Sequence, residues 1–374
     1  MPIYKMQGKK DGLQKYRVRI NYTDRSGKPH QLDRVAYGAE AAKELERQLS
    51  AEYSGKAPAP NKALTVYKLY SSHINVKKNE IRETSLSRVE KILSNHVLPT
   101  LKDIKLSKLN TEILQDWKNY IEQKGLSIVT KKNIYGYFSA MLNFAVKMEY
   151  LNSNPLTKVG NFKDAYIKKE SIDYYTADEF KKFIHAAGEE AERLGFYEWH
   201  YYVFFNIAFY TGARKGEIHA LKWSDIENNT LHIRRSIAQK LKGGDRETPP
   251  KNLSSIRDLQ LPNALIAVLD EHRRRCRENI KDFSDDFRIC GAKTCLRDTS
   301  LSKRNVKYSS LAGVKTIRIH DFRHTHASLL ANEGINIQEI ARRLGHSKIE
   351  ITWNIYSHLY PREEERAVAV LDSI

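Results

Sequence analysis

The sequence predicts a multidomain protein with a small N-terminal α+β unit, an all-α helical bundle, and a larger, mainly α-helical region that contains a small antiparallel sheet. Three patterns lead to this prediction. Apolar and polar residues alternate near the N-terminus, helical spacing fills the segment that follows, and short β-rich runs interrupt helices in the second half. With 374 residues the chain is long enough for two or three domains that each bury a core.

The N-terminal segment is predicted to form a small sheet with one helix. Tyr16–Tyr22 alternates apolar and polar side chains, which is the period of a half-buried strand. Asp24–Pro29 has the composition of a hairpin turn, and Gln31–Tyr37 is a suitable partner strand. Ala39–Tyr53 carries an apolar stripe at helical spacing. Ser54–Pro60 has the composition of a linker.

From residue 64 to about residue 156 the chain is predicted to be helical. Asn110 or Thr111 is a suitable N-cap for one of these helices, and Asn152–Pro155 ends the set. Residues 157–173 are polar and rich in lysine, as is typical of a second linker. The predicted helices are Leu64–Ile74, Glu83–His96, Thr111–Lys124 and Thr130–Glu149.

The third region is predicted to be mainly helical around a small sheet. Thr176–Glu179 resembles a helix start with carboxylates in the first turn. The apolar run Tyr201–Tyr210 indicates a buried helix, while Leu231–Ile237 and Ile256–Leu261 indicate short strands. After Ile319 the pattern is again helical almost to the end of the chain.

The charge of the chain favours a polyanionic partner. Lys and Arg number 63 against 45 Asp and Glu, which gives a formal net charge of +18. Such a surface binds phosphates with release of counterions, although a basic surface that is merely solvated remains an alternative. The N-terminus lacks the apolar core of a signal peptide, and no apolar run is long enough to span a bilayer. We therefore predict no membrane partner.

The cysteine content favours a reducing compartment and argues against a metal site. Cys276, Cys290 and Cys295 are the three cysteines, a small and odd number for a chain of this length. With His272 they could suggest zinc, but the C-x4-C spacing fits zinc sites poorly. The sequence also lacks a phosphate-binding G-x-x-x-x-G-K-[ST] loop. No cofactor or metal is predicted.

Arg214 is the first candidate for phosphate chemistry. It stands in the string TGARKGEI, with Glu217 one helical turn away. A guanidinium can bind two oxygens of a phosphate, and a neighbouring carboxylate can hold the guanidinium in place. A surface ion pair is the alternative interpretation of this motif.

Three further candidates follow towards the C-terminus. His320 and Arg323, in the string HDFRHTHAS, share one helical face. His346 follows Gly345, a residue type that commonly ends helices. Tyr356 comes ten residues after that histidine, although most of the 21 tyrosines are expected to be packing residues. His324 and His326, in the same string, are expected to be structural, and a three-histidine metal site lacks carboxylate partners.

In their order and intervals, the strings TGARKGEI, HDFRHTHAS and LGH, with Tyr356 before Ser-His, resemble the tyrosine recombinases. The resemblance is strong over residues 174–374, which would form the catalytic domain. Residues 63–157 are similar to the core-binding, SAM-like helical domain of that family. Residues 1–55, as a three-stranded sheet plus helix, are similar to the arm-binding domain of integrases from temperate phages and conjugative transposons.

The resemblance implies an active site in which two arginines and a histidine hold the scissile phosphate and a tyrosine attacks phosphorus. A second histidine assists proton transfer, and a lysine on a hairpin protonates the leaving 5′ oxygen. Lys251 takes the lysine role, with Lys240 and Lys242 as nearby alternatives. The implied site residues are Arg214, Lys251, His320, Arg323, His346 and Tyr356.

The family's chemistry implies neither cofactor nor metal, because bond energy is kept in the 3′-phosphotyrosyl intermediate. It implies a homotetramer on double-stranded DNA with core and arm sites, and an excisionase and a host DNA-bending protein as further partners. Integration and excision of a mobile element in the cytoplasm, at the bacterial nucleoid, would be the role. The alternatives are a host chromosome-dimer resolving recombinase, a type IB topoisomerase and a non-catalytic DNA-binding regulator.

Overall fold

The computed structural model describes residues 3–23, 29–53, 64–163, 173–239, 244–250, 253–360, 368 and 371–373. The chain forms two compact units, Met1–Ile167 and Lys168–Ile374. The predicted hairpin turn and the first predicted linker lie outside the described residues, except for Pro29. Most of the second linker and most of the chain after Tyr360 also lie outside them.

The first unit begins with an antiparallel three-stranded sheet and a helix, as predicted. Its elements are β1 (Ile3–Lys10), β2 (Leu13–Thr23), β3 (Pro29–Tyr37) and α1 (Ala39–Tyr53). The strand order is β1-β2-β3. Val18 and Ile20 are buried with residues of α1, because alternate residues of a strand face the same side. On the other side, Arg19 pairs in register with Asp33 and donates to its carboxylate at 2.8 and 2.9 Å.

The rest of the first unit is a helical bundle. Its helices are α2 (Val66–Glu80), α3 (Glu83–His96), α4 (Leu98–Leu101), α5 (Thr111–Glu122), α6 (Ile128–Lys147) and α7 (Leu156–Val159). Asn110 caps α5, since its side chain accepts from the main-chain nitrogen of Ile113 at 2.9 Å. The indole of Trp117 packs at an angle on Phe138 and donates to the His96 carbonyl at 2.8 Å. Both rings belong to the bundle core.

The second unit consists mainly of helices around a buried, aromatic-rich helix. Its helices are α8 (Ala177–Leu194), α9 (Phe196–Thr211), α10 (Lys215–Ala220), α11 (Asn263–Asn279), α12 (Asp298–Leu311), α13 (Asp321–Asn332), α14 (Ile337–Leu344) and α15 (Ile349–Tyr356). The predicted helix start is a capping box, in which Thr176 and Glu179 each accept from the other's main-chain nitrogen. The predicted buried helix is part of α9.

Two small antiparallel sheets separate α10 from α11 along the chain. Their strands are β4 (Ile226–Glu227), β5 (Thr230–Ile233), β6 (Ser236–Ala238), β7 (Arg246–Thr248) and β8 (Arg257–Gln260), arranged as β4-β5-β8 and β6-β7. The predicted strand Leu231–Ile237 is thus divided between two sheets. Leu231, Ile233 and Leu259 face the core. Among the described residues, no helix combines the length and apolar character that crossing a membrane requires.

Candidate active site

Arg214 is placed by a sharp turn at the end of α9. Gly212 ends that helix with φ 61° and ψ 17°, the left-handed region that favours glycine. A Cβ atom there would lie 2.8 Å from His326 Cδ2 and 2.9 Å from Leu344 Cδ2. The turn lets Arg214 become the N-cap of α10, and its main-chain nitrogen donates to Glu217 Oε2 at 2.9 Å.

A buried carboxylate holds the Arg214 side chain, so the alternative of a surface ion pair is wrong. Nη1 of Arg214 donates to Glu217 Oε1 at 2.9 Å, while Nη2 of Arg257 donates to Oε2 of the same carboxylate at 2.8 Å. Burial alone would raise the pKa of Glu217, but the attraction of Arg257 and Arg214 outweighs it and lowers that pKa. The carboxylate is therefore charged and its two arginines are fixed.

Arg257 was not among the sequence-predicted site residues. Its side chain is buried, and it also donates to the Arg343 carbonyl at 2.6 Å and to the Ser255 carbonyl at 2.9 Å. It thus connects β8, α10 and the end of α14. The only local signal for it is an inward-facing position on a short strand.

Arg323 lies on α13 and is 3% exposed. Its Nη1 donates to the Gly212 carbonyl at 2.8 Å and its Nη2 to the Leu344 carbonyl at 2.5 Å. These carbonyls lie at the C-terminal ends of α9 and α14, where the helix dipole favours positive charge. Burial, and then the positive charge of Arg214, lower the pKa of Arg323.

Three of the predicted site residues meet at the turn after α14, namely Arg214, Arg323 and His346. Gly345 ends this helix with φ 65°, and its carbonyl accepts from Nη2 of Arg214 at 3.3 Å. The preceding carbonyl, that of Leu344, accepts from Arg323, so the two guanidiniums contact consecutive carbonyls. His346 follows directly. Two cations and an imidazole thus meet at one turn.

His346 also connects this turn to the next helix. Its Nδ1 is hydrogen-bonded at 2.8 Å to Oγ1 of Thr352, a buried residue of α15. Burial, followed by the charges of Arg323 and Arg214, lowers the pKa of His346 to about 4. The imidazole is therefore neutral near pH 7. Arg214 and His346 line a cavity of about 300 Å³, which offers a guanidinium and an imidazole to an anion.

Tyr356 ends α15 and is 1% exposed. Its hydroxyl lies 2.6 Å from Nδ1 of His324 on α13. Burial raises the pKa of Tyr356, whereas the charge of Arg323 opposes this increase. The sequence suggested a structural role for His324, yet the imidazole contacts the hydroxyl of the predicted nucleophile.

His320 stands at the N-cap of α13, and its side chain is exposed. Its ring centre is 5.4 Å from that of His324. Local desolvation, followed by the charge of Arg323, lowers the pKa of His320. His326 points elsewhere and has its Nδ1 2.8 Å from the Phe209 carbonyl, which agrees with the structural role expected for it.

Five of the six predicted site residues therefore lie around the ends of α9 and α14 and on α13 and α15. The sixth, Lys251, lies outside the described residues, as do its alternatives Lys240 and Lys242. The hairpin strands β6 and β7 that precede Lys251 are described, and they pair through Ser236 and Thr248.

A separate set of buried side chains could bring ligand atoms to one metal ion. The ligand atoms of His200, His272 and Cys276 lie within 4.8 Å of one another. However, Sγ of Cys276 is 3.9 and 3.8 Å from the two ring nitrogens of His272, so it does not lie along the lone pair of either. His200 accepts from the Gly291 main-chain nitrogen, and His272 donates to the Ile289 carbonyl. Through these two hydrogen bonds, the histidines of the cluster hold the main chain of residues 289–291 in place.

The cysteines considered from the sequence do not all join this cluster. Cys295 packs with Ala220 and Ile237, and its thiol donates to Asp245 at 3.3 Å. Burial raises the pKa of each of the three cysteine thiols. Cys295 thus packs in a different cluster from Cys276 and Cys290.

Two family profiles of known proteins match this chain, one in each half. The profile described as "Phage integrase family" matches residues 173–363, and that described as "Phage integrase SAM-like domain" matches residues 65–163. The chain is 26% identical to the ICEBs1 integrase of Bacillus subtilis, over 91% of each chain. It is 32% identical to a XerC-like tyrosine recombinase of Caldanaerobacter subterraneus, over 73% of each.

Solved structures share the fold. The Tn1549 transposon integrase in complex with transposon right-end DNA has a TM-score of 0.61 at 20% identity, covering 83% of this chain and 99% of that chain. A lambda integrase tetramer bound to a Holliday junction has a TM-score of 0.55 at 18% identity, covering 93% and 96%. The predicted fold class is thereby confirmed.

The relatives, which include a putative prophage phiRv2 integrase of Mycobacterium tuberculosis, agree with the sequence resemblance to integrases of mobile elements. The family profile spans half of the chain and includes all six implied site residues, five of which the structure describes. The chain therefore belongs to the phage integrase family, whose members are DNA strand-transfer enzymes of the tyrosine recombinase class.

Proposed function

We propose that this protein is a site-specific recombinase that integrates and excises a mobile element by cutting and rejoining DNA at a 3′-phosphotyrosyl link to Tyr356. The observation that carries the proposal is the turn after α14. There Arg214 and Arg323 contact consecutive carbonyls beside His346, and the next helix ends in Tyr356. A phosphodiester bound at this turn would meet Arg214 and His346, which line a cavity there, and would reach Arg323 and Tyr356 once they are uncovered.

The chemistry follows from the charges at the turn. Arg214 and Arg323 would stabilise the negative charge that grows on the non-bridging oxygens as the Tyr356 oxygen attacks phosphorus. His346 would donate a hydrogen bond to the same phosphate, and His320 would assist proton transfer. Lys251 would protonate the leaving 5′ oxygen. A 5′ hydroxyl from another strand would then attack the phosphotyrosyl link and release the tyrosine.

DNA binding would also have to uncover the nucleophile. Because Tyr356 is 1% exposed, a phosphate cannot contact its hydroxyl in the described conformation. Burial also raises the pKa of this phenol, which opposes ionisation. We infer that the residues that cover Tyr356 move aside before cleavage, while its hydroxyl keeps its contact with His324.

The domain roles are proposed by similarity. Residues 1–55 would bind arm sites, residues 63–157 would bind the core site, and residues 174–374 would catalyse. Four copies would act on two DNA duplexes, together with an excisionase and a host DNA-bending protein, at the bacterial nucleoid in the cytoplasm. The Tn1549 integrase bound to transposon right-end DNA and the lambda integrase tetramer bound to a Holliday junction support this assembly. The added N-terminal sheet favours a mobile-element integrase over a host resolvase.

Trapping the covalent intermediate tests the proposal. On a nicked duplex that carries one end of the DNA element encoding this chain, the wild-type protein should form a covalent protein–DNA adduct that denaturing gels resolve. Tyr356→Phe should bind the same duplex in a gel-shift assay and form no adduct, because it lacks the attacking oxygen.

Tyr360→Phe is the matched control, since Tyr360 lies one turn further on and its hydroxyl donates to the Ile335 carbonyl. This variant should retain the adduct. If the wild-type protein shifts the duplex but never becomes linked to it, the protein is a DNA-binding regulator and not a recombinase.

A further inference from the structure

We propose that His324 accepts the proton of the Tyr356 hydroxyl when the tyrosine attacks phosphorus, and returns it when the strand is resealed. This inference rests on the proposed function, because it concerns the same nucleophile. It adds a base to the site, since the sequence resemblance gave this histidine no role.

The geometry is that of a proton donor with its acceptor. Nδ1 of His324 lies 2.6 Å from the Tyr356 hydroxyl, within the reach required of a general base. Burial, followed by repulsion from His320, lowers the pKa of His324 to about 4, so the ring is neutral near pH 7. A neutral imidazole has one nitrogen that accepts and one that donates.

The direction of this hydrogen bond follows because the buried O–H group of Tyr356 needs an acceptor. Within the part of the chain that the structure describes, His324 is the hydrogen-bond partner of the Tyr356 hydroxyl. If Nδ1 carried the hydrogen, the buried O–H group would lack an acceptor, which costs about 1–3 kcal/mol. The tyrosine therefore donates, and the imidazole hydrogen is on Nε2.

The other two histidines of the site are less suited to this step. His346 has its Nδ1 bound to Thr352. His320 is exposed, and its ring makes an edge contact with the ring of His324 instead of reaching the phenol. His324 is thus the histidine that already contacts the reacting oxygen.

The step balances without a further reactant. The O–H bond of Tyr356 breaks as an N–H bond forms at Nδ1 of His324, and the oxygen forms its bond to phosphorus. The bond from phosphorus to the 5′ oxygen breaks, and that oxygen takes a proton from the general acid. In resealing, the deprotonated general acid takes the proton of the attacking 5′ hydroxyl, the bond from phosphorus to the tyrosine oxygen breaks, and the imidazolium returns its proton to the departing phenolate.

Substrate binding would make His324 a better base. The groups whose charges act on it are His320, Asp321, Arg323 and Arg318. Of these, Arg323 lowers its pKa and Asp321 raises it. A phosphate bound to Arg323 would offset that positive charge, so the imidazolium would form more readily in the complex than in the free protein.

Two substitutions separate proton transfer from positioning. His324→Asn keeps an oxygen acceptor close to the position of Nδ1 but cannot take a proton, whereas His324→Ala removes both functions. His185→Asn, at an exposed site on α8, is the matched control. On the nicked duplex described above, single-turnover adduct formation at pH 7 should slow by roughly 10²–10⁴-fold for both His324 variants, with unchanged gel-shift affinity.

The pH profile provides a readout that a structural role would not change. Without the base, the phenol must ionise before it attacks, so the rate of both His324 variants should increase about tenfold per pH unit up to the pKa of the Tyr356 phenol, which burial holds above that of a free phenol. The wild-type profile should be flatter in this range. Wild-type activity should fall at acid pH, where His324 becomes protonated.

Three results would overturn the proposal while leaving the recombinase assignment intact. Wild-type rates with His324→Asn would mean that the hydrogen bond only positions the tyrosine. Faster cleavage by either variant would mean that the bond restrains it. A nitrogen-15 NMR spectrum of the DNA-free protein in which Nδ1 of His324 carries the hydrogen would contradict the acceptor role. Loss of the wild-type adduct itself would instead refute the proposed function.

Discussion

At the scale of single residues, the candidate site depends on contacts between side chains far apart in the sequence. Glu217 receives Arg214 and Arg257, and the latter also contacts the Arg343 carbonyl. A buried carboxylate that loses a partner is left with uncompensated charge, which costs more than the pair contributes. Arg257 therefore stabilises the fold and also holds the residue that orients Arg214.

Replacing Arg257 with methionine should lower the free energy of unfolding by about 3–5 kcal/mol at pH 7, because Glu217 would lose a buried cation. The pKa of Glu217 is lowered in the folded protein, so its charged form stabilises the fold above pH of about 4.3. This contribution is lost as the pH falls through the folded pKa. Urea denaturation at several pH values should therefore show the two proteins converging in acid.

Arg274→Met is the control for this substitution. Arg274 makes exposed pairs with Glu271 and Glu278 on the surface of α11, and screening by solvent makes such pairs weak. Its removal should hardly change the unfolding midpoint. If Arg257→Met were equally mild at pH 7, the buried ion pair would not stabilise the unit as inferred.

At the scale of elements, the turn between α9 and α10 determines where Arg214 lies. Gly212→Ala should destabilise the protein, because a left-handed alanine costs roughly 1–2 kcal/mol and its Cβ would lie 2.8 Å from His326 Cδ2. Adduct formation should also fall as Arg214 shifts.

Gly188→Ala, within α8, is the control and should stabilise the protein slightly, since its Cβ would make ordinary contact with Tyr202 at 3.4 Å. Thermal melts should show a lower melting temperature for Gly212→Ala and a slightly higher one for Gly188→Ala.

The sequence predicted those elements whose buried face is apolar. Glu83–His96 was expected with the bounds observed, and the start of α8 was expected from its capping residues. Helices α11 and α12 were missed. The buried stripe of α11 includes His272 and Cys276, and that of α12 includes Asn305, so neither shows a clear apolar period.

Short motifs in the sequence predicted part of the candidate site, but they did not predict the contacts between residues that are distant in the sequence. Arg214 and Arg323 stand in motifs that imply phosphate contact. The contacts of Arg257 with Glu217 and of His324 with Tyr356 join residues 40 and 32 positions apart. Nothing in either short stretch of sequence indicates its partner, because the fold alone brings them together.

At the scale of the whole molecule, the +18 charge and the separate N-terminal sheet predict that arm-site binding and DNA cleavage belong to different parts of the chain. Deleting residues 1–55 should abolish recombination that depends on arm sites but leave adduct formation on the core duplex measurable, because the predicted catalytic residues lie in the second unit. Paired assays of core cleavage and of complete integration check this. Undiminished integration by the shortened protein would argue against an arm-binding role.

The covered position of Tyr356 has a consequence for the cell that carries this protein. If Tyr356 is the nucleophile, as proposed, a hydroxyl that is kept from solvent cannot attack DNA encountered by chance during a search along the chromosome. Selection of the correct site would then take place before any bond is broken, and accidental nicks would be avoided without a separate inhibitor. On this proposal, the packing of one aromatic ring would protect the genome.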